Sequence, residues 1–276
     1  MSDASEKTEG ALPEPARKGS PKAKAMSRAA ARHAAPFLLW IGAMLVGRMM
    51  HLTPGSGTEE TPSLNVLSDG GLYAVQTALA LAALALLRPW AYYRGGFRAR
   101  HVWPALAVGL GVFALWVLPG SDFFRGLWPA GAGLWERFCV WPFGEARDVA
   151  KAAAEAAASY APAATGWPLF TVHMLGTGIA IAVAEEFFWR GYLLRAARTP
   201  DFLDIPVGSF HAASFLAVAA VFAAEHTEWA AGFAAGLAYG WLFIRTRDIW
   251  APCLAHAATN TMLGFYVLAT GHWELW

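Results

Sequence analysis

Seven apolar runs, near residues 36–52, 71–88, 102–118, 167–190, 210–226, 229–245 and 249–270, constrain this chain more than any other feature of its sequence. A transmembrane helix needs about 20 predominantly apolar residues, with a range of about 17–25. In hydrocarbon such a run folds as a helix, because a helix satisfies its own backbone polar groups. The expected fold class is therefore all-α: a polytopic transmembrane helical bundle of about seven or eight spans around a membrane-embedded polar cavity. Composition agrees. Hydrophobic residues make up 57% of the chain and charged residues 15%, against roughly 25% charged in soluble domains. Fourteen tryptophans suit a protein with two membrane interfaces. A net charge of +1 offers nothing to nucleic acid. Cys139 and Cys253 form no C-x-x-C spacing, which argues against a cysteine zinc site or a redox pair.

Residues 1–35 are rich in Ala, Pro, Ser, Glu and basic residues and lack apolar periodicity. They are expected to form a disordered basic arm on the cytoplasmic side, and no secretory signal is expected there. Residues 36–166 hold the amino-terminal spans and a long polar, aromatic connector. That connector begins at 119, carries Trp128, Trp135, Trp141 and Pro142, and turns Ala-rich and helical over 145–160. Residues 167–276 hold the remaining spans. Arginines cluster after spans two, four and six (Arg88, Arg94, Arg98 and Arg100; Arg190, Arg195 and Arg198; Arg245 and Arg247), whereas the connector at 53–70 carries Glu59, Glu60 and Asp69 without a basic residue. By the positive-inside rule the amino terminus is expected in the cytoplasm, and the basic arm with the absence of periplasmic-style cysteines leads to the expectation of a bacterial inner membrane. Gly109-Leu110-Gly111 in the third span permits close packing or a bend.

Ionisable groups inside hydrocarbon are costly and mark function. Three clusters stand out. In Glu185-Glu186-Phe187-Phe188-Trp189-Arg190, Glu186 and Arg190 are four apart and can pair along the helix. Glu185 has no such partner and is the more available base. The second cluster is Phe222-x-x-x-His226, with Glu225 beside the histidine. In the third, His256-x-x-x-Asn260, the four-residue spacing puts an imidazole and a carboxamide on one helix face, where both can offer donors to a developing oxyanion. Arg48, His51 and His173 are scattered, and none is assigned a catalytic role. At about 1.5 Å per residue, Glu185, His226, His256 and Asn260 stand about 20, 24, 10 and 16 Å from their respective helix ends. Tilt or a short fifth helix must close that gap.

Glu-Glu-x-x-x-Arg, Phe-x-x-x-His and His-x-x-x-Asn, in that order and each in an apolar span, resemble the CPBP family of intramembrane proteases, which includes the CAAX prenyl endopeptidases. The resemblance covers roughly 167–270. More diffusely, the amino-terminal half resembles the exosortase-associated bacterial branch, whose substrates would be envelope proteins with sorting tails. The resemblance implies a CPBP-like catalytic core at 167–276 that hydrolyses a peptide bond of a membrane-associated or lipid-linked protein. It implies Glu185 as general base, His226 as its partner in holding the water, His256 and Asn260 as oxyanion donors, and Glu186 with Arg190 as a brace. Phe222 would support the site. No cofactor is expected on this reading.

The nearest rival is a zinc-dependent intramembrane metalloprotease with Glu185, His226 and His256 as a His₂Glu ligand set and water fourth. No His-Glu-x-x-His preorganises such a site, so the metal-free mechanism is favoured. A non-enzymatic membrane scaffold or immunity protein would use the same polar residues to join helices. A proton-coupled transporter would use them as a relay, but no repeat symmetry is visible. The expected partners are a membrane-associated peptide substrate and the bilayer; oligomeric state is open.

Overall fold

The computed structural model of the chain describes residues 17–51, 69–140 and 148–276, with the backbone alone at 48, 50, 51 and 69. Among the described residues there is no strand. The main helices are α1 (Pro21–His51), α2 (Asp69–Leu87), α3 (Val102–Val117), α4 (Asp122–Leu127), α5 (Pro129–Phe138) and α6 (Val149–Tyr160). They are followed by α7 (Pro162–Ala196), α8 (Ala212–Ala223), α9 (Trp229–Thr246) and α10 (Trp250–Thr270). The acidic connector at 53–68, Trp141, Pro142 and residues 1–16 of the arm lie outside the described residues, as do the side chains of Arg48, His51 and Asp69.

Among the described residues, four stretches are long and apolar enough to cross a membrane: Pro21–Gly47, Gly70–Tyr92, Ala99–Gly120 and Pro162–Ala196. The sequence led to an expectation of seven or eight. The shortfall lies in the carboxyl-terminal half. There α8 has only 12 residues, about 18 Å at 1.5 Å per residue, and α9 and α10 interrupt their apolar sequence with Arg245, His256 and Asn260.

Residues 21–35 correct the expected boundary of the arm. They form the first turns of α1, and Ala29, His33, Ala34 and Phe37 are buried. The His33 Nδ1–H donates to the Ala29 carbonyl at 2.7 Å, leaving Nε2 to accept from the Tyr93 hydroxyl at 3.1 Å. Lys22 pairs with Asp204 at 2.6 Å and Asp201 at 3.0 Å. Lys22 and His33, which packs on Phe202 with ring centroids 5.5 Å apart, hold this stretch against the loop after α7.

The bundle exposes apolar side chains and encloses polar ones within an apolar core. Leu38, Leu45, Leu79, Leu86, Leu110 and Leu216 are exposed, while Gln76, His173, Glu185, Glu186, Arg190 and His256 are buried. An apolar exterior suits a lipid solvent. Lipid tails are as apolar as leucine, so helices associate by close packing and polar contacts. Gly232, Gly236 and Gly240 make a four-residue stripe on α9 against α8: a methyl group at Gly236 would lie 2.9 Å from the Ala219 backbone. Gly109 plays the same part between α3 and α10, where a methyl group would lie 2.6 Å from the Ala255 carbonyl. The Tyr239 hydroxyl donates to Thr259 Oγ1 at 2.8 Å, and that hydroxyl reaches the Gly109 carbonyl at 2.9 Å, tying α9, α10 and α3 together.

Candidate active site

The middle of α7 is not regular α-helix. Residues Gly176–Ile181 and Phe187–Leu193 are π-helical and flank a short α segment, Ala182–Glu186. π-bulges recur at functional sites. A side chain four residues on overshoots one α-helical turn by about 40°, so a four-residue stripe drifts off its face. The wider π turn takes up that drift. His173, Thr177, Ile181 and Glu185 accordingly all line one cavity, spread over about 18 Å of helix.

That cavity, of about 520 Å³, is also lined by Phe222, His226, Tyr239, His256 and Asn260. The structure thus brings Glu185, His226, His256 and Asn260 to a common space, with Phe222 in its wall. The depth mismatch is closed by the short α8. It ends at Ala223, and His226 lies in the turn beyond it. The His226 Nδ1–H donates to the Phe222 carbonyl at 2.8 Å, which fixes the ring and leaves Nε2 as an acceptor. The ring also packs on Phe222 at 4.7 Å and Trp116 at 5.3 Å.

Glu185 and Glu186 are both buried but differently placed. The Oε2 atoms of both lack a hydrogen-bond partner, and Glu185 lines the cavity. Glu186 Oε1 accepts from Arg190 Nη1 at 2.7 Å and from His256 Nδ1 at 2.9 Å. Arg190 further donates to the Gly236 carbonyl at 3.1 Å, the approach the glycine stripe allows. Its guanidinium lies over the Phe222 and Tyr239 rings, 4.8 and 5.4 Å from their centroids. His256 stacks on Tyr239 at 4.9 Å with 23° between the planes. Breaking such a buried pair from one side costs about 3–5 kcal/mol, because it strands a charge.

Two expectations are sharpened here. Glu186 does more than brace its own helix: it holds His256 across the bundle. And the donors that the His256/Asn260 spacing offered are partly engaged. Asn260 gives one amide N–H to the Thr177 carbonyl at 3.0 Å, and His256 gives its Nδ1–H to Glu186. One N–H of Asn260 remains. His256 Nε2 accepts in the neutral ring and donates only as imidazolium. Among the described residues no three His, Cys, Asp or Glu side chains are grouped so as to hold a metal ion.

Residues 166–262 match the family model of the Type II CAAX prenyl endopeptidases, Rce1-like. Over this segment the chain is similar to that protease family. No curated protein and no solved structure matches the chain. The matched segment runs from the start of α7 into α10 and contains Glu185, Glu186, Arg190, Phe222, His226, His256 and Asn260. The cavity is nevertheless not its work alone. Trp40 of α1, Tyr73 and Gln76 of α2, Trp116 of α3, and Trp276 complete the walls.

Sequence reasoning missed several groups around the Rce1-like site. Tyr73 shares a hydrogen bond of 2.5 Å with Thr177. His173, left without a role, accepts at Nε2 from the Trp276 indole at 2.6 Å and lies against Tyr73 and Tyr160, with ring centroids 4.1 and 4.3 Å apart. The spacing of 173, 177, 181 and 185 was the available signal. Tyr239 carried none, since nothing in an apolar run marks one aromatic as the platform for a histidine.

Proposed function

We propose that the chain is an intramembrane endopeptidase of glutamic type, acting on a membrane-associated or lipid-linked protein tail. The observation that carries this reading is the contrast between a buried carboxylate with an unpartnered oxygen and two fixed imidazoles on the same cavity. A water between Glu185 and His226 Nε2 can give one hydrogen to each acceptor. Glu185 takes a proton as the water oxygen attacks the peptide carbonyl. The oxyanion that forms is met by the remaining N–H of Asn260 and by His256 Nε2–H, the imidazolium being braced by Glu186 and, through it, Arg190. When the C–N bond breaks, Glu185 returns its proton to the leaving amine. General acid–base catalysis contributes about 10²–10⁴-fold and each oxyanion donor about 10²–10³-fold. The name of the matched family points to lipid-modified carboxyl-terminal tails as the substrate class, with the lipid among the exposed leucines of the bundle. The arginine distribution supports an inner-membrane protein with a cytoplasmic amino terminus.

A second reading rests on one observation. Both histidines commit Nδ1–H to the protein, so both Nε2 lone pairs are available, as in a His₂Glu zinc site. Metal analysis of purified active protein separates the two: stoichiometric zinc, with activity lost on chelation and regained on re-addition, overturns the glutamic type. For the reaction itself, amino-terminal peptides are compared between membranes bearing the wild type and Glu185→Ala. Neo-termini are expected in the wild type alone, with equal insertion of both proteins. Identical peptides in both would end the protease reading.

A further inference from the structure

The loops where α2 and α9 end, α3 and α10 begin, and the chain leaves α7 enclose a second pocket, of about 440 Å³. Four arginines line it, Arg94, Arg98, Arg195 and Arg247, against one carboxylate, Asp248. That carboxylate is already engaged. Its Oδ2 accepts from His101 Nδ1 at 2.9 Å and its Oδ1 from the Trp250 amide at 3.1 Å. Arg195 is 4% exposed, and every partner it has is neutral: the Gly191 carbonyl at 3.0 Å, the Tyr93 hydroxyl at 3.0 Å and the Ile205 carbonyl at 3.5 Å. Arg94, Arg98 and Arg247 are exposed, and among the described residues none of the four is paired with an acid.

Four guanidiniums less one carboxylate leave three positive charges on one concavity. A buried guanidinium without a counter-charge is costly, and an anion seated there relieves the cost. Planar forks of N–H donors match phosphate oxygens two at a time. Phe97, next to Arg98 in the chain, and Trp103, in the first turn of α3, are exposed, as aromatic residues are at a bilayer interface. We infer that this pocket binds a phosphate-bearing anion, presented by a lipid headgroup or free in solution. The site is independent of the peptidase cavity and does not rest on its assignment.

The test uses the full chain in lipid nanodiscs of three kinds: phosphatidylcholine alone, phosphatidylcholine with phosphatidylglycerol, and phosphatidylcholine alone with added pyrophosphate. The readouts are the melting midpoint and the lipid retained in native mass spectrometry. A ligand that binds the folded state raises the midpoint. A rise with phosphatidylglycerol alone assigns the site to a headgroup, and an equal rise with pyrophosphate assigns it to a free phosphate. Arg98→Gln/Arg247→Gln, both exposed positions, is expected to keep the midpoint of the wild type in phosphatidylcholine alone. The same variant is expected to weaken retention of the anion by roughly fivefold per arginine. Arg245→Gln, at the same end of α9 but outside the pocket, is expected to change nothing. No rise with either anion, or a rise that survives the double substitution, overturns the site.

Discussion

The two sides of α7 treat adjacent carboxylates in opposite ways. On the core side, Glu186 is tied to Arg190 and His256, with Arg190 held in turn by Gly236 and two aromatic rings. On the cavity side, Glu185 keeps an oxygen with no partner in a wall it shares with three histidines and an asparagine. Both glutamates are buried, so burial does not separate them. Pairing does: Glu186 Oε1 is bound by Arg190 and His256, although its Oε2, like that of Glu185, has no partner. An ion paired across the bundle positions other groups, and an unpaired one lining the cavity is available to water and substrate. One residue of helical rotation, about 100°, is enough to assign neighbours to the two duties.

The sharpest break of this comparison is to neutralise each side in turn. Glu185→Gln is expected to lower cleavage of a membrane-anchored peptide by about 10³-fold or more, within the range of general-base loss, with an unchanged melting midpoint in detergent. Glu186→Gln should do the reverse in kind, costing stability of about 3–5 kcal/mol through the stranded Arg190, read by chemical denaturation. Glu186→Gln/Arg190→Met should recover part of that loss while activity stays low, because His256 has lost the carboxylate charge that braces its imidazolium. If Glu185→Gln destabilised the fold as much as Glu186→Gln, the division of labour would be wrong. Next in size, Asn260→Ala is expected to reduce kcat about 10²–10³-fold, with a smaller effect on KM. The smallest effect is expected from Tyr239→Phe, which removes the hydroxyl bond to Thr259 while keeping the ring under His256. About 0.5–1.5 kcal/mol of stability should go and most of the activity should remain.

Much of the site was legible because its pairs are local. Glu186 with Arg190, Phe222 with His226 and His256 with Asn260 each lie four residues apart, and a helix places such residues side by side whatever surrounds it. The helical class was legible for a similar reason, since apolar run length speaks directly to a bilayer. The start of α1 was not. Its alanines and scattered arginines resemble a solvated arm until Tyr93 and Phe202 supply a surface for His33. Nor was the number of membrane-length helices, because α8 starts only at Ala212 and stops at Ala223.

By itself, the sequence determined that this chain is a helical membrane protein and which ionisable side chains its helices would carry into the hydrocarbon. Only the tertiary structure decided which of them meet. The Glu186–His256 bond spans 70 residues, and the arginine pocket gathers loops from positions 92 to 249. Periodicity reports the angle of a side chain about its own helix axis. The distance between two axes, set here by the glycine stripe of α9 and the π turns of α7, comes from packing across helices, and no local pattern encodes it.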